Sequence, residues 1–310
     1  MTDSIRVFAP ATIGNIGPGF DVLGMAINGI GDVVEAARIP EKRVIIENIT
    51  GDEGLLPRDA EKNTAGIAAR HVLDMIGAKD GISLVIHKQM PSGSGLGSSA
   101  ASAAGAAYAV NCLHGSRLSE DEMILCATKA EEVVSGGFFA DNTAPCILGG
   151  ATLTRSCEPL DVIQLGTICS LIVVIVSPDF ELLTKHARAV MPKTVALESA
   201  VANMANACLI VAAFSKNDYD LLSRCINDRI AEPARAGLIP GFYDVKSAAL
   251  NAGAHGCTIS GAGPSVFAIT NNLIDAEKIE AAMKLAFLRH NLKCRVYISH
   301  VPLKGVRKIE

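Results

Sequence analysis

The chain of 310 residues lacks an excess of positive charge: 28 lysines and arginines stand against 32 aspartates and glutamates, a formal net charge of −4. That leaves no basic field to hold a phosphodiester backbone, so nucleic acid is not expected as a partner. None of the nine cysteines falls in a C-x-x-C pair. This argues against a disulfide framework and against a zinc cluster, and most of the thiols are read as reduced, small core residues of a cytoplasmic protein. The opening "MTDSIRVFAP" lacks the basic-then-apolar pattern of a secretory signal. The longest apolar run, "TICSLIVVIV" at 167–176, is far short of the roughly 20 residues that span a bilayer, so no membrane partner is expected. Low-complexity tails, heptads and a solenoid period are missing too.

What is present is a generous core, 49% apolar by composition, in a length that suits one large domain or two of ordinary size. In the first half, "SIRVFA" (4–9), "VVEAARI" (33–39), "RVIIEN" (43–48) and "GISLVIHK" (81–88) read as strands. "NTAGIAARHVLDMIG" (63–77) carries apolar residues at helical spacing, with Asn63 as its cap. The small-residue run "SSAASAAGAAYAVNCLHG" (98–115) reads as a helix pressed closely on its neighbours and stopped at Gly115. "SEDE" (119–122) has capping-box spacing and opens a helix to about Val134, with the strand "ATLTR" after residue 150. The second half reads as a buried strand at 171–176, several helices between about 185 and 252, strands at 257–260 and 266–270, a helix near 274–289 and a last strand at 294–299. That order approximates the split βαβ pattern of ferredoxin-like domains. The fold class is therefore α+β, with two domains, 1–163 and 164–310.

Between the strand at 81–88 and the small-residue helix lies "PSGSGLGSSAAS" (91–102). No lysine follows Gly97, so the P-loop signature fails. A dinucleotide fingerprint would need a third glycine at position 98, which is serine. A flexible linker is also a poor fit, because both flanks are packed elements. A strand, a glycine-rich turn and a helix N-terminus remain. Such a turn lets backbone N–H groups approach an anion, and the first helical turn adds its positive dipole end. Ser98 and Ser99 supply hydroxyls for a phosphate or a magnesium ion. Anion binding is favoured here over a plain tight turn.

The loop resembles the phosphate-binding motif of the GHMP kinases, named for galactokinase, homoserine kinase, mevalonate kinase and phosphomevalonate kinase. "APATIGNIGPGFDVLG" (9–24) is similar to the family's N-terminal motif and "TISGAGPSVFAI" (258–269) to its C-terminal glycine motif. "EEVVSGGFFADNTAPCILGG" (131–150) and "IAEPARAGLIPGF" (230–242) extend the resemblance over nearly the whole chain, and "NIGPGFD" with "EPARAGLIPGF" points to the branch acting on homoserine. The resemblance implies an N-terminal ATP-binding domain with a left-handed βαβ unit, against the usual rule of handedness, and a ferredoxin-like C-terminal domain. It implies ATP-dependent phosphorylation of the side-chain hydroxyl of L-homoserine, a step towards threonine, with Mg2+ as cofactor and a homodimer as the family's habit.

Homoserine is a zwitterion with a hydroxyl at its tip, so its site needs a cation, an acid and a fixed distance to the transferred phosphate. By the family match, Arg188 and Arg235 take the carboxylate through their planar forks, with Thr184 in the same group. Asp21 takes the ammonium, with Asn15 a polar contact nearby; without the match these would read as surface charges and an Asx-turn. ATP is assigned to Pro91, Ser92, Gly93, Ser94, Gly95, Leu96, Gly97, Ser98, Ser99 and Ala100, with Asn63 near the adenine and Gly261 and Gly263 closing the cleft. Magnesium is assigned to Glu131 with Ser98 or Ser99, Glu132 being the alternative by one register position. Asp141 and Asn142 are assigned to positioning the substrate hydroxyl, with proton abstraction by Asp141 as a secondary role. One departure stands out. The resemblance implies histidine at 139, where this chain has Phe139, so substrate affinity or the choice of hydroxy amino acid is expected to differ, with His186 a candidate substitute. The competing readings are a GHMP-type kinase for another small hydroxy acid, a nucleotide-binding oxidoreductase, and a catalytically weak sensor on the kinase scaffold. Asp21 argues against mevalonate, which has no ammonium group.

Overall fold

The computed structural model describes residues 4–310, with only the backbone at Val134 and Ser135. Its first sheet is built around β2 (Leu23–Ile39), 17 residues long, which runs antiparallel to β1 (Ser4–Gly14) along most of its length. On its other side the later half of β2 pairs with β4 (Gly81–His87) and the earlier half with β5 (Ala151–Cys157). β3 (Val44–Thr50) lies parallel to β4, and the connection between them carries α1 (Thr64–Ile76). β6 (Leu160–Gly166) adds to β5, and the chain's end returns as β11 (Arg307–Ile309) beside β1. α2 (Ser98–Leu113) lies against β1 and β2, flanked by α1 and α3 (Glu120–Ser135). Its alanines and Gly105 allow this closeness, since a Cβ at Gly105 would stand 2.8 Å from the Val34 side chain.

The second sheet holds β7 (Ile172–Pro178), β8 (Gly256–Ile259), β9 (Val266–Thr270) and β10 (Cys294–Ser299), in the antiparallel order β10-β7-β9-β8. That order, with helices joining β7 to β8 and β9 to β10, is the ferredoxin-like arrangement expected from the element pattern. Both faces of this sheet are covered, which is why its strands read as unbroken apolar runs. Val173, Ile175, Phe267 and Ile269 join the core of the first sheet, while Val174, Val176, Val266 and Ala268 face α9 (Phe242–Asn251) and α10 (Leu273–Arg289). The β7–β8 connection also contains α5 (Thr184–Ala189), α6 (Leu197–Lys216), α7 (Tyr219–Leu222) and α8 (Ala231–Arg235). By length and composition alone, α6 is apolar enough to cross a membrane; its buried residues, among them Ile210, Ala213 and Phe214, pack inside the protein.

Asn63 caps α1 and Ser119 with Glu122 closes the expected capping box on α3. Four features were not anticipated. β2 begins ten residues before 33, a short helix α4 (Thr143–Leu148) follows Asn142, β6 spans the expected 163/164 division, and β11 carries the C-terminus back to the first sheet.

Candidate active site

Where the two sheets meet, a cleft of about 430 Å³ opens. One wall is the glycine turn at 92–97, whose shape comes from left-handed backbone at Gly93, Gly95 and Gly97 (φ +60°, +79° and +66°). Four consecutive carbonyls of this turn are engaged by the scaffold. Gly93 O accepts from Leu182 N at 3.1 Å, Ser94 O from Ser265 N at 3.1 Å, Gly95 O from Ser260 Oγ at 2.6 Å and Leu96 O from Thr12 N at 3.0 Å. Among the described residues, no protein acceptor meets the N–H groups from Gly93 to Ser98. With the carbonyls tied down, a run of free amides leads into the N-terminus of α2, the arrangement that grips anions. Gly95 permits the docking: its Cβ would fall 2.5 Å from Ser260 O and 2.7 Å from Gly263 O.

Ser94, Ser98, Ser99, Gly261 and Asn63 line the cleft, whereas Pro91, Leu96, Ala100 and Gly263 lie on its scaffold side. The Asn63 amide is engaged locally, accepting from Ala65 N and donating to Pro57 O at 2.9 Å. Glu131 lines the cleft and accepts from Ser99 Oγ at 2.9 Å, while Glu132 is exposed. Glu131 Oε1 and Ser98 Oγ are covered from solvent without a hydrogen-bond partner. Burial pushes the Glu131 carboxyl up to about 7, against the stabilising Ser99 bond.

Beneath the turn lies a pair that sequence reasoning missed. Lys88, at the end of β4, donates to Asp32, to Ser98 O at 2.7 Å and to Ser102 Oγ at 2.7 Å. Both side chains are almost fully buried, and Asp32 also accepts from Gln89 N at 3.0 Å. A lone lysine closing an apolar strand carries no local signal of this role; its meaning comes only from the strand pairing that sets β2 beside β4.

The opposite wall comes from the 15–21 turn and from α5 and α8. Asn15 and Asp21 both adopt positive φ (70° and 59°), and Asn15 bridges the domains by donating to Gly261 O at 3.0 Å while accepting from Asp21 N. Asp21 receives both terminal nitrogens of Arg188, each at 2.9 Å. Arg235 is 3% exposed and donates to Ala187 O at 3.2 Å and Gly261 O at 2.9 Å. Thr184 opens α5 on the same wall. His186, the candidate substitute for an imidazole at 139, is exposed and lies outside the cleft lining, so it does not take that place. Phe139 instead lies against Arg188, 4.3 Å from ring centroid to guanidinium carbon.

Asp141 and Asn142 sit between the two walls, at the start of α4. Asn142 accepts from Thr12 Oγ1 at 2.8 Å. Burial, reinforced by the neighbouring Asp21 charge and opposed by Arg188, pushes the Asp141 carboxyl up to about 7. The arrangement therefore offers free amide donors at one end, a cation–anion pair at the other, and a proton-holding carboxyl between. Among the described residues there is no cluster of three or more His, Cys, Asp or Glu, so a self-contained transition-metal centre is not built here.

Residues 63–150 match the family model of the GHMP kinases N-terminal domain, and residues 210–289 that of the GHMP kinases C-terminal domain. The chain is 43% identical to a homoserine kinase of Chloroherpeton thalassium, over 97% of this chain and 98% of that protein. It is 45% identical to a homoserine kinase of Arabidopsis thaliana, over 92% of this chain and 80% of that one. A crystal structure of homoserine kinase from Cytophaga hutchinsonii superposes with a TM-score of 0.95 at 47% identity, covering 100% of this chain and 98% of that one.

Proposed function

This chain belongs to the GHMP kinases, and within them to the homoserine kinases, and from that membership we propose how its cleft divides the work. The enzyme uses ATP to phosphorylate the side-chain hydroxyl of L-homoserine, giving O-phospho-L-homoserine in threonine biosynthesis. The ATP phosphates lie on the free amides of 93–98, with the Ser94 hydroxyl beside them. Asn63 and Pro57 form the wall where the base leaves the cleft. Mg2+ fits the hard oxygens of Ser98 and Glu131, both left unpartnered, with Ser99 orienting the Glu131 carboxylate. When bound there, it neutralises charge on the phosphate oxygens.

Homoserine enters at the opposite wall. Its carboxylate takes the fork of Arg188, with Arg235 adding charge, and its ammonium takes Asp21 and the Asn15 side-chain oxygen. Thr184 narrows the space beside the carboxylate. The hydroxyl then points between Asp141 and Asn142, towards the glycine turn. Because phosphoryl transfer runs through a loose transition state, alignment and charge neutralisation do most of the work, and Asp141 is assigned to positioning rather than to proton abstraction. Nine unpaired thiols support a cytoplasmic setting. The exposed Leu197, Val201 and Met204 on one side of α6 support a homodimer. For the domains we place the junction between β6 and β7, with β11 completing the first unit.

One observation carries this reading: four polar atoms without partners, Ser94 Oγ, Ser98 Oγ, Glu131 Oε1 and Arg188 Nε, belong to residues lining one cleft. Unpaired buried polar atoms are unfavourable in isolation and mark places where a ligand completes the bonding. The test is ADP release with homoserine, threonine and mevalonate as acceptors. Homoserine is expected to be the preferred acceptor, and Arg235→Met is expected to raise its KM roughly a hundredfold while leaving the KM for ATP within about twofold. An Arg235→Met enzyme with an unaltered homoserine KM would overturn the assignment of that wall.

A further inference from the structure

Arg188 is held in two different ways at once. In its plane, both terminal nitrogens donate to Asp21, while Nε has no partner. Across its face lies the ring of Phe139, 4.3 Å away, and Phe20 lies at 5.5 Å. Phe20 in turn lies 5.0 Å from the guanidinium carbon of Arg235, so aromatic rings link the two arginines. Room for the Phe139 ring depends on a nearby glycine. A Cβ on Gly137 would collide with it, so the glycine leaves the space the ring occupies.

A guanidinium offers five N–H donors in its plane and two weakly hydrated faces. A polar side chain at position 139 would compete for an in-plane donor. A phenyl ring engages only the face and leaves every donor free for acids. Of those donors, the two terminal nitrogens serve Asp21. When a zwitterion enters, its carboxylate must replace Asp21 on the fork, and Asp21 must be released to the ammonium. Through that exchange the charge partners of Arg188 change, whereas a stacked ring can stay in place.

We propose that Phe139 is a positioning residue for the amino-acid substrate: its ring fixes Arg188 by the guanidinium face, so that the fork passes from Asp21 to the substrate carboxylate without losing its support. This rests on the reading of the Arg188 wall as the carboxylate site. It recasts the departure at position 139. The aromatic side chain does not replace the polar contact of an imidazole; it holds in place the cation that makes the principal contact. It also predicts a preference for acceptors carrying both charges, because an acceptor with a carboxylate alone would displace Asp21 and leave that half-buried carboxylate without a partner.

The experiment compares Phe139→Leu, Phe139→Tyr and Arg188→Met with the parent enzyme. KM and kcat are measured for homoserine at saturating ATP, and KM for ATP at saturating homoserine. Phe139→Leu keeps apolar bulk and removes the π face. It is expected to raise the homoserine KM roughly fivefold to thirtyfold, as loss of a partly desolvated cation–π contact requires. Its kcat and its KM for ATP are expected to stay within about twofold, and Phe139→Tyr to restore the parent values. The proposal is overturned if Phe139→Leu binds homoserine like the parent, or if it raises both KM values alike, which would mark the ring as general support for the fold. Arg188→Met separates the two layers of the argument. If it raises the homoserine KM while Phe139→Leu does not, the stacking role fails and the carboxylate site stands. If Arg188→Met leaves the homoserine KM unaltered, the carboxylate site itself fails.

Discussion

The two ends of the cleft prepare for charged ligands by opposite means. At the proposed phosphate end the available groups are backbone amides and hydroxyls, and the cation Lys88 beneath them is bound to Asp32. At the proposed amino-acid end the groups are full charges, Arg188, Arg235 and Asp21, two of which neutralise each other as an ion pair. The difference follows from the ligands. A polyphosphate presents many oxygens in a fixed geometry, and a ring of directional donors suits it, with a metal ion supplying charge. A zwitterion presents one charge of each sign, and a half-buried site for it must hold both complements without leaving either charge unpaired. Pairing Asp21 with Arg188 meets that requirement, and the ligand then exchanges partners with the pair.

The comparison breaks if Lys88 acts on phosphate directly, so its removal is the most demanding test. Asp32 is fully buried and, among the described residues, takes its only ionic partner from Lys88. Lys88→Met would strand that carboxylate, and removal of one member of a buried pair is expected to lower stability by about 3–5 kcal/mol. Denaturant unfolding of Lys88→Met and of the Lys88→Met, Asp32→Leu double variant measures it, the double variant recovering part of the loss. A stable Lys88→Met enzyme with a greatly raised KM for ATP would instead place the lysine among the phosphate ligands.

Gly95 tests the amide cradle. Alanine there would meet two carbonyl oxygens of the C-terminal glycine turn and would have to adopt φ +79°. The turn must then lift from its dock, and the amides lose their aim. Loss of a preorganised donor typically reduces turnover by about 10²–10³. Gly95→Ala is expected to fall in that range for kcat/KM with ATP, while homoserine binding, followed by calorimetry without nucleotide, changes little. Equal damage to both substrates would show that the two ends are one mechanical unit.

Much of this frame was legible along the chain, and the exceptions share a physical cause. α1, α2, α3 and the second sheet announce themselves by local periodicity, caps and small-residue runs. The early half of β2 does not, because Gly24 and Gly31 read as punctuation. In the fold they are strand residues whose missing Cβ admits the carbonyls of Asp141 and Ala9. β11 exists only through its pairing with β1, and α4 is six residues long, so neither leaves a pattern to read. At the site, Asn15, Asp21, Arg188 and Arg235 were legible through motif likeness, since spacing alone says nothing about two arginines 47 positions apart. Lys88 was invisible, being a single cation whose partner lies 56 positions away. Phe139 was visible, but as a missing imidazole; its contact with Arg188 is tertiary and has no trace in the sequence.

The smallest expected effects concern protons, and two carboxyls of the cleft contribute, Glu131 beside the glycine turn and Asp141 between the two walls. Glu131 and Asp141 are both pushed up to about 7, chiefly by burial. For a group raised in the folded state, the stabilising contribution is complete below its unfolded value near 4 and is lost as pH rises through about 7. The protein is therefore expected to become less stable between about pH 4 and pH 7, by at most about 1.4 kcal/mol per pH unit for each group. On the proposed assignment of Glu131 to Mg2+, activity runs the other way, because the charged carboxylate is the form that would serve the metal, so kcat/KM is expected to rise by up to about tenfold per unit before levelling above pH 7. Asp141→Asn separates the two carboxyls. It removes a buried charge from the centre of the cleft, so the melting temperature at pH 8 is expected to rise relative to the parent, with a difference that shrinks as pH falls and vanishes below about pH 4. With Asp141 a positioning group, kcat falls by less than about tenfold and the rise with pH persists, now carried by Glu131 alone. If turnover instead collapses by about 10³ or more while homoserine still binds, Asp141 is the base that takes the hydroxyl proton, and the centre of the cleft does chemistry that the comparison of its two ends leaves out.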